Sequence, residues 1–206
     1  MKIVGVAGIK KSGKDTFADI LLENVHGVKI AFADPLKRML LPLGFPKEIL
    51  WGPSELRDEW KHPLLGITAR KALQTVGDSV GRQLLSLDLW VVLARNTVKE
   101  FLAGKLNSYI PWEGGSLLLG SDPVKLLILS DMRYRNEHGM VKSLGGTTFL
   151  VERPEVESGD PHISEQWCRD QARNEVDHRL SNSSSFEDFK YLAQKTFESY
   201  IRPEQW

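Results

Sequence analysis

The chain has little cysteine, no net charge and no long apolar run. Its one cysteine, Cys168, excludes an internal disulfide and is typical of a protein in a reducing cytoplasm. The 27 basic and 27 acidic residues cancel, so no net field draws the chain to nucleic acid or to a membrane surface. No apolar run approaches the roughly 20 residues of a membrane span, and Met1 leads directly into a strand-like segment rather than a signal peptide. We therefore expect a soluble cytoplasmic protein that binds neither nucleic acid nor membrane.

The strongest signal that the sequence does contain is the stretch from Gly8 to Thr16, which reads GIKKSGKDT. It follows the apolar segment 2–7 and precedes residues with the apolar spacing of a helix. Strand, glycine-rich loop and helix in this order predict a phosphate-binding loop, because backbone N–H groups and the positive helix end can surround phosphate oxygens. The alternative is an ordinary glycine-rich turn. The candidate nucleotide-binding residues are Gly8, Lys11, Ser12, Gly13, Lys14, Asp15 and Thr16.

The order of the remaining segments indicates the fold class. Strand-like segments at 2–7, 27–32, 125–130, 147–151 and, more weakly, 175–180 alternate with helical patterns. The continuous apolar run at 125–130 is typical of a central parallel strand that is buried on both faces. We therefore predict an α/β fold, a five-stranded parallel sheet with helices on both faces, in a single domain spanning residues 1–206. An insertion at about 46–69 and a lid-like flap at about 154–174 interrupt the pattern.

Several local features follow from spacing and turn chemistry. Asp34 before Pro35 is expected to cap a helix, and Ser185 to cap the last one. The apolar residues Leu73, Val76, Val80 and Leu84 predict one face of a continuous α-helix, and residues 104–123 are expected to form a loop.

Asp131 and Arg133 are candidate catalytic residues because they follow the predicted central strand. If that strand neighbours the first one, its carboxyl end lies beside the phosphate-binding loop. A carboxylate there can hold Mg²⁺ through water, and Arg133 can lie along the same edge. The alternative is that Asp131 caps the next helix and that Arg133 is solvated.

Further arginines are candidates for holding the acceptor phosphate. Arg70 and Arg82 are twelve residues apart, roughly three turns of one helix, so they could share a face and clamp a monophosphate. An ordinary solvated helix face is the alternative. Lys37 is a phosphate ligand or a partner of the helix dipole, and Trp90 belongs to the core or a pocket wall. The charged flap residues that could close over the transferred phosphate are Arg153, His162, Glu165, Arg169 and Arg173.

With these residues in place, the chain resembles the bacteriophage deoxynucleoside monophosphate kinases. The matching pieces extend from about residue 3 to residue 190 in the expected order. They are Gly8-x3-Ser12-Gly13-Lys14-Asp15-Thr16-x-Ala18-Asp19, Phe32-Ala33-Asp34-Pro35-Leu36-Lys37, Arg70-x2-Leu73-Gln74-x2-Gly77-Asp78, Arg82, Asp88-x-Trp90-Val91, Asp131-x-Arg133-x3-Glu137, Val151-x-Arg153-Pro154 and His162-Ile163-Ser164-Glu165. The phosphate-binding loop, with its Lys-x-Thr spacing, is the specific piece among them.

The resemblance implies a P-loop nucleoside monophosphate kinase-like fold and transfer of the ATP γ-phosphate to a deoxynucleoside monophosphate, with Mg²⁺ and with a possible homodimer. It assigns Lys14 and Thr16 to the donor phosphates and the metal, which Asp131 also binds. Asn182 falls on the adenine side and Arg153 near the donor. Arg70, Arg82 and Arg133 fall on the acceptor side, where Lys37, Gln74 and Trp90 are further candidates for binding the substrate.

Two other functions remain open at this point. A small-metabolite kinase of the dephospho-coenzyme A or phosphomevalonate type has a phosphate-binding loop of this style. A nucleotide-dependent switch without phosphoryl transfer is less favoured, because the sequence lacks both a Lys-Ser/Thr loop and an Asn-Lys-x-Asp motif.

Overall fold

The computed structural model describes residues 1–23, 25–113, 116–117, 123–154 and 163–202. It divides into two compact units, which we call unit 1 (Met1–Ala31 and Leu118–Trp206) and unit 2 (Phe32–Leu117). Within the described ranges, no helix is long and apolar enough to cross a membrane. The expectation of a single domain with an insertion at 46–69 stays a prediction.

The strands are short and lie mainly in unit 1. They are β1 (Lys2–Ala7), β2 (Gly27–Ala31), β3 (Leu106–Ser108), β4 (Ser116–Leu117), β5 (Leu126–Met132), β6 (Thr147–Glu152) and β7 (His178–Ser181).

The α-helices occur in both units. They are α1 (Lys14–Leu22), α2 (Asp34–Leu40), α3 (Lys47–Leu50), α4 (Ser54–Glu59), α5 (Ala69–Gln74), α6 (Leu89–Leu102), α7 (Arg135–Ser143), α8 (Gln166–Asp170), α9 (Ala172–Glu175) and α10 (Phe186–Thr196). A segment with π-helical hydrogen bonding, Thr75–Leu85, follows α5, and a second one, Phe197–Ile201, follows α10. Turns of 3₁₀ helix span Leu41–Leu43 and Ile163–Glu165.

Unit 1 is built on a five-stranded sheet in the order β2-β5-β1-β6-β7, and every neighbouring pair is parallel. This confirms the predicted sheet. β1 lies in the centre, where Val4 pairs with Ile128 of β5 on one side and with Thr147 of β6 on the other. Leu126 to Leu129 of β5 are fully buried, as the continuous apolar run predicted.

Helices cover both faces of this sheet, again as predicted. Alternate residues of β1 point to opposite faces. Val4 and Val6 belong to a core cluster that includes Phe17 of α1 and Phe189 of α10. On the other face, a Cβ at Gly5 would lie only 3.0 Å from the side chain of Val141 in α7, so glycine lets this helix approach the strand closely.

The last helix begins where its capping residue predicts. Ser185 is the N-cap of α10, and its hydroxyl accepts a hydrogen bond from the N–H of Asp188 at 3.2 Å. This satisfies one of the N–H groups that the first turn leaves without an intrahelical partner.

Unit 2 has its own small core, formed by α2, α3, α5 and the turns between them. Its buried residues are Leu40, Phe45, Leu50, Ala69 and Ala72. Trp51 and Trp60, from the predicted insertion, pack against this cluster, and the ring of Trp60 lies 5.5 Å from that of Phe45. The insertion is therefore folded into unit 2.

Three local expectations for unit 2 are wrong. Asp34 is not the N-cap of α2 but its first residue, since Ala33 is the N-cap, and the Asp34 carboxylate binds the side chains of Trp51 and Tyr109. The helix of Leu73 and Leu84 is not a continuous α-helix: α5 ends at Gln74, the π-helical segment follows, and Leu84 is 76% exposed. Residues 104–123 are not simply a loop, since β3 and β4 pair there as an antiparallel ladder.

The predicted flap at 154–174 is described only in part, because residues 155–162, including His162, lie outside the described residues. From residue 163 onward the chain is helical, and Glu165, Trp167, Cys168 and Ala172 are buried. This half of the segment is packed within unit 1. Closure of the flap over a phosphate stays a prediction.

Candidate active site

The predicted phosphate-binding loop connects β1 to α1 at the carboxyl-terminal edge of the sheet. Gly13 is the N-cap of α1 and has φ of 97°, a left-handed conformation that favours glycine. A Cβ at this position would lie 2.4 Å from Nδ2 of Asn182. That amide donates a hydrogen bond to the carbonyl oxygen of Ser12 at 3.0 Å. Asn182 therefore braces the loop from β7, and its predicted role beside adenine stays a prediction.

The interior of the loop contains a hydroxyl that fits an oxygen-rich ligand. Ser12 is fully buried, and among the described residues its Oγ has no hydrogen-bond partner. A Cβ at Gly8 would lie 2.4 Å from that Oγ and 2.8 Å from the carbonyl oxygen of Val151. Because burying a hydroxyl without a partner is costly, Ser12 is suited to donate to a bound phosphate oxygen.

Lys14 and Asp131 meet beside this loop. Lys14 is 6% exposed, and its Nζ lies 3.5 Å from Oδ1 of Asp131 near the end of β5. Asp131 has φ of 64°, which is uncommon outside glycine and often found at functional sites. The next helix, α7, begins at Arg135 with Tyr134 as its N-cap. The alternative that Asp131 is a helix cap is therefore wrong.

Arg133 is not a solvated arginine. Its Nε and Nη2 donate to Oδ1 of Asp131 at 2.9 and 2.8 Å, and its Nη1 pairs with Oε1 of Glu165. Burial opposes the guanidinium charge, but the Asp131 carboxylate beside it outweighs burial, so the pKa of Arg133 lies above its ordinary value. Arg133 therefore keeps a full positive charge at the edge of the phosphate-binding loop.

The buried Cys168 lies next to these groups, but its thiol is unreactive. Its Sγ donates to the carbonyl oxygen of Met132 at 3.4 Å. Burial raises the pKa of this thiol to about 11, although nearby Arg133 acts in the opposite direction. Since the thiolate is the reactive form, Cys168 is not a nucleophile at neutral pH.

The other predicted donor-side residues lie around the loop at different depths. Thr16, in the first turn of α1, is partly buried, whereas Lys11, Asp15 and, after β6, Arg153 are exposed. Thr16 and Asp131 offer only oxygen atoms, the ligand type that Mg²⁺ prefers. Across the described residues, no group of three or more His, Cys, Asp or Glu side chains could hold a metal.

Two of the charged flap residues make local contacts. Nε of Arg169 lies 3.4 Å from the carbonyl oxygen of Glu165, one helical turn before it. Arg173 forms an ion pair with Glu152 at the end of β6. Their predicted role at the transferred phosphate stays a prediction.

In unit 2, Arg70 is held by a carboxylate that the sequence did not single out. Its Nε and Nη2 donate to the two oxygens of Asp58 at 2.7 and 3.1 Å, and Nη2 also donates to the carbonyl oxygen of Ser54 at 3.1 Å. This paired geometry is the one that a phosphate or carboxylate uses to bind an arginine. Asp58 thus fixes Arg70 as a preformed anion-binding fork and competes for it.

The π-helical segment explains two glycines and the position of Arg82. Trp90 is 4% exposed and donates its indole N–H to the carbonyl oxygen of Gly77 at 2.8 Å. A Cβ at Gly81 would lie 2.4 Å from the Trp90 ring. Arg82 is 8% exposed in this segment, so it is not on a solvated face. The three-turn spacing from Arg70, however, does not apply across a change of helix type.

A second polar cluster in unit 2 surrounds the buried Asp34. Its carboxylate accepts hydrogen bonds from Nε1 of Trp51 at 2.9 Å and from the hydroxyl of Tyr109 at 3.1 Å. Burial and the Asp34 charge raise the pKa of Tyr109. Nζ of Lys37 lies 5.4 Å from the centre of the Trp51 ring, a cation–π distance. Gln74, the last residue of α5, is partly buried.

The sequence did not reveal which side chains the carboxylates of Asp34, Asp58 and Glu165 would bind. Asp58 precedes Arg70 by 12 residues, and Asp34 precedes its partners Trp51 and Tyr109 by 17 and 75 residues, so no regular spacing links them. Glu165 was one of the candidates to close over the transferred phosphate, and in the structure it is buried against Arg133.

Comparison with known proteins supplies independent information. A family model described as deoxynucleotide monophosphate kinase matches residues 2–45, which include the phosphate-binding loop. The chain is 30% identical over 190 residues, 92% of each chain, to the putative deoxynucleotide monophosphate kinase of Acanthamoeba polyphaga mimivirus. It is 45% identical over 40 residues to the deoxynucleotide monophosphate kinase of Enterobacteria phage T4, which is 19% of this chain and 17% of that protein.

Among solved structures, TT1252 from Thermus thermophilus is similar over 98% of both chains, with a TM-score of 0.51 and 19% sequence identity. This likeness concerns the fold.

Proposed function

This chain belongs to the deoxynucleotide monophosphate kinase family, and from that membership we propose that it transfers the γ-phosphate of ATP to a deoxynucleoside monophosphate, giving ADP and a deoxynucleoside diphosphate. The observation that carries the proposal is the cluster of Lys14, Asp131 and Arg133 beside a glycine-containing loop at the carboxyl-terminal edge of a parallel sheet. Phosphoryl transfer needs positioned positive charge rather than a protein nucleophile, and this cluster provides that charge.

ATP fits the loop on the donor side. The buried Ser12 Oγ is suited to donate to a phosphate oxygen. Gly8 and Gly13 allow Ser12 and Asn182 to lie against the loop backbone, where a Cβ would collide with them. The first turn of α1 adds N–H groups and the positive end of its dipole. We assign Gly8, Lys11, Ser12, Gly13, Lys14, Asp15 and Thr16 to the donor phosphates, and Asn182 to the bracing of the loop as well as to the adenine side.

Thr16 and Asp131 are the residues that would hold Mg²⁺. Mg²⁺ commonly takes one or two protein oxygens and completes its six ligands with phosphate oxygens and water, so two such residues suffice. When bound, the ion supplies positive charge at the oxygens of the transferred phosphate. Asp131 also pairs with Lys14 and Arg133, and its negative charge keeps these two cations close together.

During transfer, charge develops on the oxygens of the moving phosphoryl group. We assign Lys14 and Arg133 to the stabilisation of that charge. Arg153, which is exposed and follows β6, is assigned to the donor side. The attacking oxygen belongs to the acceptor monophosphate, and its proton is already largely lost at neutral pH. A general base is therefore not required.

We assign Lys37, Arg70, Gln74, Arg82 and Trp90, all in unit 2, to the acceptor. Arg133, in unit 1, is assigned to the transferred phosphate. Arg70 already holds an oxyanion, the Asp58 carboxylate, in the two-point geometry that a monophosphate would adopt. An acceptor phosphate must therefore compete with Asp58 or share the fork with it.

We infer that the protein acts in the cytoplasm, where ATP and deoxynucleotides are found and a single buried thiol stays reduced. Its partners are small nucleotides, not nucleic acid, and a homodimer is compatible with the family.

The function is tested by coupled ADP release against a panel of acceptors. The panel comprises the deoxynucleoside and ribonucleoside monophosphates, dephospho-coenzyme A and phosphomevalonate, each with ATP and Mg²⁺. We expect turnover with one or more deoxynucleoside monophosphates. Turnover with only a non-nucleotide acceptor would contradict the proposal and favour a small-metabolite kinase. Nucleotide binding without transfer to any acceptor would favour a switch.

A further inference from the structure

Glu165 is an ionisable side chain that burial makes unusual. It is 2% exposed, and it ends the 3₁₀ turn Ile163–Glu165 directly before α8. A carboxylate removed from water is strongly destabilising unless its oxygens find hydrogen-bond donors and a positive partner. The contacts of its two oxygens therefore indicate why an acid is present there.

The two oxygens of Glu165 bind two different parts of the candidate active site. Oε2 accepts a hydrogen bond from the backbone N–H of Lys10, within the phosphate-binding loop, at 3.0 Å. Oε1 pairs with Nη1 of Arg133, which follows β5. One carboxylate thus links the backbone of the donor loop to an arginine assigned to the transferred phosphate.

This link completes a row of alternating charges. Lys14 pairs with Asp131 at 3.5 Å, Asp131 pairs with Arg133 at 2.8 Å, and Arg133 pairs with Glu165. Asp131 contacts the Nε and Nη2 side of the guanidinium, whereas Glu165 contacts Nη1. With carboxylates on both sides, the guanidinium plane has a defined orientation instead of rotating about its side-chain bonds.

Glu165 is itself held firmly. The helix that follows it is anchored by the buried Trp167 and Cys168, and the Cys168 thiol bonds to the carbonyl oxygen of Met132 at the end of β5. Nε1 of Trp167 lies 3.2 Å from Glu175. The carboxylate is therefore fixed by packing to the same strand that carries Asp131.

We propose that Glu165 is a positioning residue for phosphoryl transfer, which orients the Arg133 guanidinium and holds the phosphate-binding loop at Lys10. This role rests on the proposed function. It differs from that expected of a flap residue, since Glu165 acts through Arg133 and the loop and does not touch the phosphates. A carboxylate that faced the donor phosphates directly would repel them, whereas the Glu165 carboxylate is neutralised by its ion pair with Arg133.

Two variants separate the two contacts. Glu165→Gln keeps an oxygen that can accept from Lys10 but loses the ion pair with Arg133, whereas Glu165→Ala loses both. We expect Glu165→Gln to lower kcat about tenfold or more with little change in ATP affinity, because a misdirected cation mainly affects the transition state. We expect Glu165→Ala to lower kcat further and to raise the Kd for ATP about fivefold, since the loop loses a backbone hydrogen bond.

Glu23→Gln is the matched control. Glu23 likewise pairs with a cation, Lys190, at 2.9 Å, but it lies just beyond the end of α1 opposite the loop. It has no role in the proposed chemistry, so kcat and ATP affinity should stay close to those of the wild type. Thermal unfolding of all three variants shows whether each remains folded at the assay temperature.

A double-mutant cycle tests whether Glu165 works through Arg133. In an Arg133→Gln background, Glu165→Gln should cause little further loss of kcat, because the group that it orients is gone. Full additivity, or a Glu165→Gln variant within twofold of the wild-type kcat, would overturn the orienting role. An unchanged ATP Kd in Glu165→Ala, measured by titration without acceptor, would overturn the role at Lys10. Failure of the proposed function is seen separately, as a wild-type protein that binds ATP but phosphorylates no deoxynucleotide.

Discussion

Replacing Lys14 with methionine tests the donor side most directly. Methionine keeps most of the buried stem and removes only the charge. The ammonium lies 3.5 Å from Asp131, which keeps its two hydrogen bonds from Arg133 when the lysine is lost. Because Asp131 stays paired, we expect the free energy of unfolding to fall by no more than about 2 kcal/mol, less than the 3–5 kcal/mol typical when a buried charge loses its only partner.

The effect on the rate should be much larger. A unit charge about 4 Å from a phosphate oxygen is worth about 4 kcal/mol at an effective dielectric constant near 20. About 1.4 kcal/mol corresponds to one decade in rate, so complete loss of this stabilisation would lower kcat about 1,000-fold. Part of the attraction already exists in the ground state and affects ATP binding instead. We therefore expect kcat to fall 100- to 1,000-fold and ATP affinity to fall less than tenfold.

The assay is coupled ADP release with saturating acceptor, together with ATP titration of the free enzyme. Lys190→Met is the matched control, because Lys190 is also an ion-paired lysine of unit 1, bound to Glu23 at 2.9 Å just beyond the end of α1 opposite the loop. It should retain wild-type kcat. A Lys14→Met variant with half of the wild-type kcat would refute the reasoning, because the loop would then not hold the reacting phosphate against this lysine.

Four further outcomes are expected. Arg70→Ala should lower kcat/KM for the acceptor by about 2–4 kcal/mol in transition-state free energy and leave ATP binding unchanged, with lysine restoring only part; weakened ATP binding instead would reverse the assignment. Gly81→Ala should destabilise by about 1–3 kcal/mol in urea unfolding, because its Cβ would lie 2.4 Å from a buried tryptophan ring, whereas Gly139→Ala, which meets nothing within 4 Å, should not. Cys168 should react with a thiol reagent at pH 8 far more slowly in the folded than in the denatured protein, since its pKa is about 11; equal rates would contradict its burial. Burial opposes the charge of Asp177, but hydrogen bonds from Lys142 and β6 outweigh it and lower the pKa of Asp177, so this group stabilises the fold above the unfolded pKa near 3.9. Asp177→Asn should therefore cost about 1 kcal/mol at pH 7 after allowance for its exposure, and the difference should shrink as the pH falls below about 4; a constant difference in urea unfolding would exclude the linkage.

The parts of the fold that the sequence predicted are those whose signal is local. The parallel sheet was predictable from apolar runs that alternate with helical patterns. The loop from Gly8 to Thr16 was predictable because its glycines and lysine, between a strand and a helix, are the pattern that binds phosphate. The position of Asp131 was predictable because parallel strands end at the same edge. All three predictions use residues that are close in sequence or share one sheet.

The parts that could not be predicted depend on long-range partners. Nothing in the spacing of Asp58 and Arg70 identifies their pairing. The 3.6-residue period of an α-helix does not predict which residues share a face in the π-helical segment, which Gly77 and Gly81 permit. Glu165 has a charge that suggests solvent, but packing of α8 buries it. Whether a carboxylate is solvated or buried cannot be predicted until its partner is known. The partner of Glu165 is Arg133, which lies 32 residues earlier in the sequence.

The central position of β1 also affects the order in which the protein can form during synthesis. Val4 leaves the ribosome before its partners Ile128 and Thr147, which follow 124 and 143 residues later. Unit 2 is continuous in sequence and lies between them, so it can fold while β1 is still unpaired. We expect that ribosome-stalled chains ending at residue 125 do not bind ATP, whereas chains in which residue 206 has emerged from the ribosome do bind it. The phosphate-binding loop that follows β1 is thus expected to become functional only after strands that are made more than 100 residues later.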